Sequence, residues 1–157
     1  MKKPAPFWTV LSLFALATLS GSTLLGQDRE GSVDLQERLV GAWRLVMLEE
    51  PAADGTPHPA DCTGLLVFTR DGHMSAQVMY RNPAAGSAQY TQGGYEATFG
   101  TYEINARSRT FIYRVEGGLV RSLVGKELVR SIELSGKRMV VTSANKNEHW
   151  RVTWEHY

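Results

Sequence analysis

From residue 43 to the C-terminus, apolar and polar side chains alternate in short runs separated by turn residues. Alternation with a period of two is typical of β-strands that bury one face. Hairpin-type turns join consecutive runs, such as Asp71-Gly72 between the second and third, and no long crossover intervenes. The pattern predicts an all-β fold of eight antiparallel strands in up-and-down order, closed into a barrel that can hold one small ligand. The predicted strands cover residues 43–48, 63–69, 73–80, 98–104, 110–116, 126–134, 138–143 and 148–157.

A short helix is predicted over residues 32–40, before the first strand. Ser32 or Asp34 can cap its start, and Gly41 ends it as a helix-terminating glycine does. Gly41 also lets the backbone pass close to a neighbour, because it carries no Cβ. The ring of Trp43 then stands where it can plug one end of the closed sheet.

Two segments lack strand periodicity. Residues 51–59 contain three prolines and a glycine, a composition typical of loops. Residues 81–94 are polar and rich in Ala, Gly and Ser, and they form the longest stretch without a clear period. Loops of this length in a compact domain are usually functional or mobile. We therefore expect residues 81–94 to form a lid or rim over an opening of the barrel.

Arg130 is the main candidate for ligand binding. It shares one face of its strand with Leu128, Ile132 and Leu134, so the alternation points it into the barrel. A buried charge without a partner costs several kcal/mol, so Arg130 needs one. One hypothesis is a carboxylate or carbonyl of a bound ligand, met by the guanidinium fork. The alternatives are stacking on Trp43 or an ion pair with Glu103.

Further candidates come from the third strand and from two tyrosines. In the third strand, residues 74, 76, 78 and 80 form the more apolar face, but Ser75 and Gln77 line a polar cavity if the inward face is mixed. Tyr102 and Tyr113 can each present a hydroxyl to the interior, although the pattern favours ordinary half-buried barrel tyrosines. The candidate ligand-binding set is Arg130, Tyr113, Tyr102, Gln77, Ser75 and Trp43.

The first 26 residues have the order of a secretory signal peptide. A basic start at Lys2 and Lys3 precedes an apolar run over residues 7–19, and small residues follow. The predicted cleavage follows Ser22 or Gly26, and the run is short for a retained membrane anchor. The sequence thus predicts a leader at 1–26, a linker with a short helix at 27–38 and one barrel domain at 39–157, exported to a bacterial periplasm or the extracellular space.

Composition narrows the classes of partner. The 157 residues carry 17 basic and 16 acidic side chains, a net charge of +1 that becomes −1 once the leader takes Lys2 and Lys3 with it. Without a basic stripe, nucleic acid is not an expected partner. No two of the four histidines have ligand spacing on one strand, and no glycine-rich phosphate loop is present, so we predict neither a metal site nor a cofactor.

Several motifs in order resemble the bacterial and fungal lipocalin-like domain family. They are LVGAWRL at 39–45, GLLVFTRDGHMS at 64–75, FGTYE at 99–103, VEGG at 115–118, VGKELVR at 124–130 and WE at 154–155. The resemblance implies an eight-stranded barrel with a small-molecule cavity and no settled reaction. Members often carry a histidine in the strand before VEGG. Tyr113-Arg114 stands there in this chain, so no imidazole role is carried over.

Three hypotheses about function follow. The first is an exported binding protein that holds a small, partly apolar molecule, with an acidic group as one option, fixed by Arg130 or a tyrosine. The second is an isomerase or cyclase that positions a reactive intermediate inside the barrel, which needs only one or two hydrogen-bond donors. The third is a structural barrel filled by its own side chains. The sequence favours the binding protein over an enzyme.

Overall fold

The computed structural model describes residues 22–157, with side chains from residue 31 onward. Helix α1 spans Ser22–Leu39, and nine strands follow within the described residues. A single 3-10 turn, Arg121–Leu123, lies between β6 and β7. The strands are β1 Gly41–Pro51, β2 Pro57–Pro59, β3 Cys62–Phe68, β4 His73–Tyr80, β5 Tyr95–Asn105, β6 Thr110–Gly118, β7 Glu127–Ser135, β8 Arg138–Ser143 and β9 Arg151–His156.

The sheet closes on itself through β1. The order runs β1-β3-β4-β5-β6-β7-β8-β9, each neighbouring pair is antiparallel, and β1 also pairs with β9. Trp43 is opposite Leu66 on β3, and Leu45 is opposite Trp154 on β9. The predicted fold, an eight-stranded up-and-down barrel with an N-terminal helix, is confirmed. The short β2 is an addition outside the barrel, paired with the end of β1.

Several element bounds differ from the sequence predictions, and the three largest differences in where an element begins are in α1, β5 and β9. Helix α1 begins at Ser22 rather than Ser32, so its start overlaps the predicted leader, of which residues 1–21 lie outside the described residues. Strand β5 begins at Tyr95 rather than at residue 98. The last strand begins at Arg151, because the chain turns before it, where Glu148 N–H donates to the Asn145 carbonyl at 3.0 Å. No helix among residues 22–157 is long and apolar enough to cross a membrane.

The end of the barrel under α1 is filled by side chains. Trp43 is 1 % exposed, and its indole Nε1 donates to the Leu39 carbonyl at the end of the helix at 2.8 Å. Phe68 packs edge-on against Tyr102 and Phe111, with ring centroids 5.0 and 5.6 Å away. We call this region the closed end.

Gly41 permits the close approach that α1 and β9 make at the closed end. Its φ of 133° is unfavourable for any residue with a side chain, and an added Cβ would collide with the imidazole of His156. That ring in turn packs edge-on against Trp43, with centroids 4.7 Å apart. The sequence prediction that Gly41 lets the backbone pass close to a neighbour agrees with this geometry.

Gly41→Ala tests the close approach. Gly55 provides a matched control, because it has a φ of 81° but no atom within 4 Å of an added Cβ. We expect Gly55→Ala to lower the free energy of unfolding by about 1 kcal/mol through backbone strain alone. Gly41→Ala should cost about 1–3 kcal/mol more, because the collision with His156 forces repacking around Trp43. Urea unfolding of both variants measures the difference, and equal losses would contradict this account.

Candidate functional site

A cavity of about 110 Å³ occupies the barrel interior away from the closed end. All eight barrel strands contribute inward-facing side chains to it, and residues 81–94 contribute three more, Ser87, Tyr90 and Thr91. Much of the wall is apolar, formed by Leu48, Leu66, Met74, Ala76, Val78, Phe111, Leu128, Val141 and Val152. The polar side chains on the wall are Glu50, Tyr80, Ser87, Tyr90, Thr91, Glu96, Thr98, Tyr113 and Arg130.

Arg130 points into the barrel, as the alternation of its strand predicts, and is 8 % exposed. Its Nη1 lies 3.5 Å from Oε2 of Glu148 and donates to Ser143 Oγ at 3.2 Å, while Nη2 donates to the Tyr90 hydroxyl at 3.1 Å. The guanidinium carbon also lies 4.8 Å from the ring centroid of Trp150. We call these five side chains the Arg130 cluster.

The expected alternatives for Arg130 are corrected by this arrangement. Its carboxylate partner is Glu148, from the turn between β8 and β9, and not Glu103. Glu103 lies on the outside of the barrel, paired with Arg114 at 3.1 Å. The stacking ring is Trp150 and not Trp43, because Trp43 lies at the closed end.

Glu148 is held as an anion by the Arg130 cluster. Burial acts to raise the pKa of this carboxyl, but three hydrogen bonds and the charge of Arg130 outweigh burial and lower the pKa to about 2. The donors are Tyr90, Ser143 and Trp150. Tyr90 Oη donates to Oε2 at 2.8 Å and Trp150 Nε1 at 3.1 Å. The cluster therefore joins residues 81–94 to the β8–β9 turn through one buried ion pair.

Residues 81–94 form part of the cavity wall, in the position expected of a rim. Tyr90 anchors them through its hydroxyl, which donates to Glu148 and accepts from Arg130. At the end of the segment, the Gly94 carbonyl accepts from the Tyr80 amide at 2.8 Å. The segment is thus tied to the barrel at Tyr90 and at its junction with β5.

Two further carboxylates face the cavity. Glu50 accepts a hydrogen bond from the Tyr80 hydroxyl at 2.7 Å. Glu96 lies opposite Val78 at the start of β5, and among residues 22–157 no side chain or backbone group forms a hydrogen bond or ion pair with its carboxylate. Burial raises the pKa of Glu96 to about 7, Arg130 acts to lower that pKa, and Glu50 raises it further.

Two hydroxyls beside Glu96 also lack partners. Thr98 Oγ1 and Tyr113 Oη are both buried, and neither forms a hydrogen bond of good geometry in the described part of the chain, although the two hydroxyls are close enough for Thr98 to act on the Tyr113 phenol. Thr98 follows Glu96 by two residues on the same face of β5, and Tyr113 is on β6. Burial raises the pKa of the Tyr113 phenol to about 12, Thr98 acts to lower that pKa, and Glu96 raises it further. We call Glu96, Thr98 and Tyr113 the unpaired wall.

Of the six predicted ligand-binding residues, the structure brings Arg130 and Tyr113 to the cavity and leaves four outside it. Ser75 and Gln77 are on the outer face of β4, because Met74, Val78 and Tyr80 are buried on the inner face. Ser75 Oγ donates to the Thr98 carbonyl at 3.1 Å, and Gln77 Oε1 accepts from the Tyr95 hydroxyl at 3.2 Å.

The remaining two candidates belong to the closed end. Trp43 is buried there under α1, and the Tyr102 hydroxyl donates to the Thr69 carbonyl at 2.8 Å. Neither side chain lines the cavity. Both are therefore corrected from candidate ligand contacts to packing residues.

Sequence reasoning missed Glu50, Glu96, Tyr90, Glu148 and Trp150 as cavity or cluster residues. A signal existed for Glu96, because the two-residue spacing that places Thr98 inward extends back to it. A similar signal existed for Glu148, because the two-residue spacing of Trp150 and Val152 in the predicted last strand extends back to it. Among residues 22–157, no three His, Cys, Asp or Glu side chains are grouped as a metal site requires.

A family model and two solved structures are similar to this chain. The model of a family described as a lipocalin-like domain matches residues 40–156. A lipocalin-like protein from Bacteroides uniformis is similar in structure, with a TM-score of 0.48 and 16 % identity over 76 % of this chain and 99 % of its own. An uncharacterized protein from Bacteroides eggerthii gives a TM-score of 0.44 and 15 % identity over the same shares. Among curated proteins, no sequence matches this chain.

Glu148→Gln tests the buried ion pair. Removing the anion leaves Arg130 charged and without a counter-ion, so we expect a loss of about 3–5 kcal/mol in the free energy of unfolding at neutral pH. Glu103→Gln breaks the exposed pair with Arg114 and should cost at most about 1 kcal/mol. Because the pKa of Glu148 is lowered on folding, its stabilisation is present above about pH 4.5 and disappears as the pH falls toward 2. Similar urea midpoints for the two variants would argue against a structural role for the pair.

Glu96→Gln is expected to raise the free energy of unfolding, whereas Glu148→Gln is expected to lower it. The folded-state pKa of about 7 lies above the ordinary 4.5, so ionisation of Glu96 opposes folding as the pH rises through this range. The variant should match the wild type at pH 4 and exceed its stability by about 3 kcal/mol at pH 8. Glu116→Gln, the same substitution on the outer face of β6, should change little at either pH. A pH-independent difference between Glu96→Gln and the wild type would contradict the assigned pKa.

Proposed function

Because the chain belongs to the lipocalin-like domain family, we propose that it binds one small, partly apolar molecule inside its barrel. The observation that supports this proposal is the cavity between the closed end and residues 81–94. Its wall combines a large apolar surface with a few convergent polar groups, which is the usual composition of a ligand site.

The cavity volume limits the size of the ligand. An apolar cavity of about 150 Å³ in another protein holds one benzene molecule. The 110 Å³ here therefore suit a molecule of about four to six heavy atoms in the arrangement described. Ligand efficiency has a ceiling of about 1.5 kcal/mol per heavy atom, so such a ligand binds with micromolar affinity at best. A larger ligand requires displacement of residues 81–94.

The hypothesis of an acidic ligand receives less support than that of an apolar one. It depended on Arg130 having no protein counter-ion, whereas Glu148 supplies one at 3.5 Å. An anionic ligand beside Arg130 would also face Glu50 and Glu96 on the same cavity wall. We therefore retain a small, partly apolar ligand as the proposal and treat its charge separately below.

One observation favours a catalytic function as a second candidate. Glu96 has a pKa of about 7 and faces the cavity beside the Tyr113 phenol. A general acid–base works best when its pKa is close to the operating pH, so an isomerase or cyclase that moves a proton through Glu96 fits the site. Tyr113→Phe discriminates the two: a binding protein keeps most of its function, whereas an enzyme that depends on this tyrosine keeps affinity and loses turnover.

We further propose that the protein is exported, on the basis of the leader-like residues 1–26. The intact mass of protein recovered from the extracytoplasmic fraction tests this and separates cleavage after Ser22 from cleavage after Gly26. The second position would remove the first five residues of α1. Recovery of the uncleaved chain from the cytoplasm would contradict export.

Ala76→Leu tests the cavity as the binding site. Position 76 is on the inner face of β4, so the larger leucine side chain would occupy part of the cavity. We expect it to weaken binding of n-butanol or benzene by about tenfold or more, measured by ligand-observed NMR. Gln77→Leu is the matched control on the outer face of the same strand and should leave binding unchanged. It also removes a side chain that the sequence had placed among the ligand contacts.

The binding experiment has a clear negative outcome. If neither probe, nor the corresponding acid and amine, binds saturably to the wild type, then the proposal of a ligand-binding barrel is wrong. If probes bind but Ala76→Leu and the wild type do so equally, the binding lies outside the cavity and the assigned site is wrong.

A further inference from the structure

We infer that the molecule held in the cavity is a small organic cation, an amine with a short apolar body, whose ammonium group binds at Glu96. This inference rests on the proposed function and specifies the chemistry of its ligand. It follows from the charges around the cavity, from the polar groups that lack partners, and from the volume available.

The charges facing the cavity leave a negative excess. Arg130 and Glu148 form one buried pair, with side chains only 10 and 13 % exposed, and their charges compensate each other. Glu50 and Glu96 remain on the wall without a basic partner in the described chain. A cation in the cavity is therefore attracted and an anion repelled, and the low dielectric of the interior strengthens both effects.

The unpaired wall matches the hydrogen-bonding capacity of an ammonium group. An ammonium has three N–H donors and no acceptor. Glu96, Thr98 and Tyr113 offer a carboxylate and two hydroxyl oxygens. Within residues 22–157 the Glu96 carboxylate has no hydrogen-bond or ion-pair partner, and neither hydroxyl forms a hydrogen bond of good geometry. Buried polar groups without partners cost free energy. A ligand that donates a hydrogen bond to each of the three oxygens therefore offsets that cost.

The rest of the cavity suits a short hydrocarbon. Ala76, Val78 and Phe111 supply apolar surface, and burial of each methylene contributes about 0.8 kcal/mol. The aromatic rings of Tyr90 and Trp150 are already engaged by the guanidinium of Arg130 at 5.4 and 4.8 Å. The oxygens of the unpaired wall, and not an aromatic cage, therefore bind the cation.

Because Glu96 ionises, the binding of a cation at its carboxylate should depend on pH. The groups that act on its carboxyl from neighbouring elements are Arg130 on β7, Glu50 on β1 and the phenols of Tyr80 on β4 and Tyr113 on β6. The pKa of about 7 means that the carboxyl is largely neutral below that pH in the empty cavity. An alkylamine stays cationic far above pH 7, so its affinity should rise with pH up to about 7 and then level off.

Three probes of equal length test the charge preference: n-butylammonium, n-butanol and n-butyrate, titrated into the mature protein at pH 8 and followed by NMR or calorimetry. We expect n-butylammonium to bind at least about tenfold more tightly than n-butanol, and n-butyrate to bind most weakly. From pH 7 to pH 5 the affinity for n-butylammonium should fall about tenfold per pH unit, whereas that for n-butanol should stay constant.

Matched variants assign the preference to Glu96. Glu96→Gln keeps the size of the side chain and removes its charge, so n-butylammonium should lose its advantage over n-butanol. Glu116→Gln, on the outer face of β6, should preserve the advantage. If Glu96→Gln fails to fold, Tyr113→Phe removes one hydroxyl acceptor and should weaken n-butylammonium several-fold more than n-butanol.

The outcomes separate this inference from the proposed function. If n-butanol or n-butyrate binds as tightly as n-butylammonium, or if the wild-type affinity for n-butylammonium is flat from pH 5 to pH 8, the cation inference is overturned while the binding function stands. If no probe binds saturably, the binding function itself fails. Retention of the n-butylammonium preference in Glu96→Gln would exclude Glu96 as its cause.

Discussion

Closure of the sheet through β1 is the constraint on which the rest of the molecule depends. Because β1 pairs with both β3 and β9, eight strands form a ring with no free edge among them. A ring of eight strands is just wide enough for its own side chains to fill. The size of each inward side chain therefore decides whether a level of the barrel is solid or hollow. Trp43, Phe68 and Phe111 fill the closed end, and small residues such as Ala76 and Thr98 leave the cavity further along.

The Arg130 cluster stabilises the hollow part of the barrel in a different way. There, packing alone does not fix the position of residues 81–94 or of the turn that carries Glu148. A buried ion pair does so, because each partner is costly without the other. Hydrogen bonds from Tyr90 and Trp150 to Glu148 extend the constraint to both segments. The position of the cavity wall therefore depends on the geometry and charges of the Arg130 cluster, whereas the closed end depends on the volumes of the side chains that fill it.

The sequence predicted what depends on local periodicity and missed what depends on contacts between distant segments. Alternation predicted β4 and β8 with their observed bounds and pointed Arg130 inward. It could not pair Arg130 with Glu148, because alternation assigns a residue to a face of its own strand and does not say which distant residue it meets. Ser75 and Gln77 were candidates only on the condition that the inward face of β4 was mixed. The more apolar face lies inward instead, because burying it gains more free energy.

Glu96 and Glu148 show how one barrel separates two carboxylates by their surroundings. Burial acts to raise the pKa of both, yet Glu148 accepts hydrogen bonds from several side chains, lies beside a guanidinium and stays ionised. Glu96 receives no hydrogen bond in the described chain, and its pKa rises to about 7. Such a divergence between two acids is the usual mark of different roles. The charge of Glu148 stabilises the cavity wall by joining residues 81–94 to the β8–β9 turn. The charge of Glu96 opposes folding and has no hydrogen-bond or ion-pair partner in the described chain. Departures of this kind from local consistency are expected at functional sites.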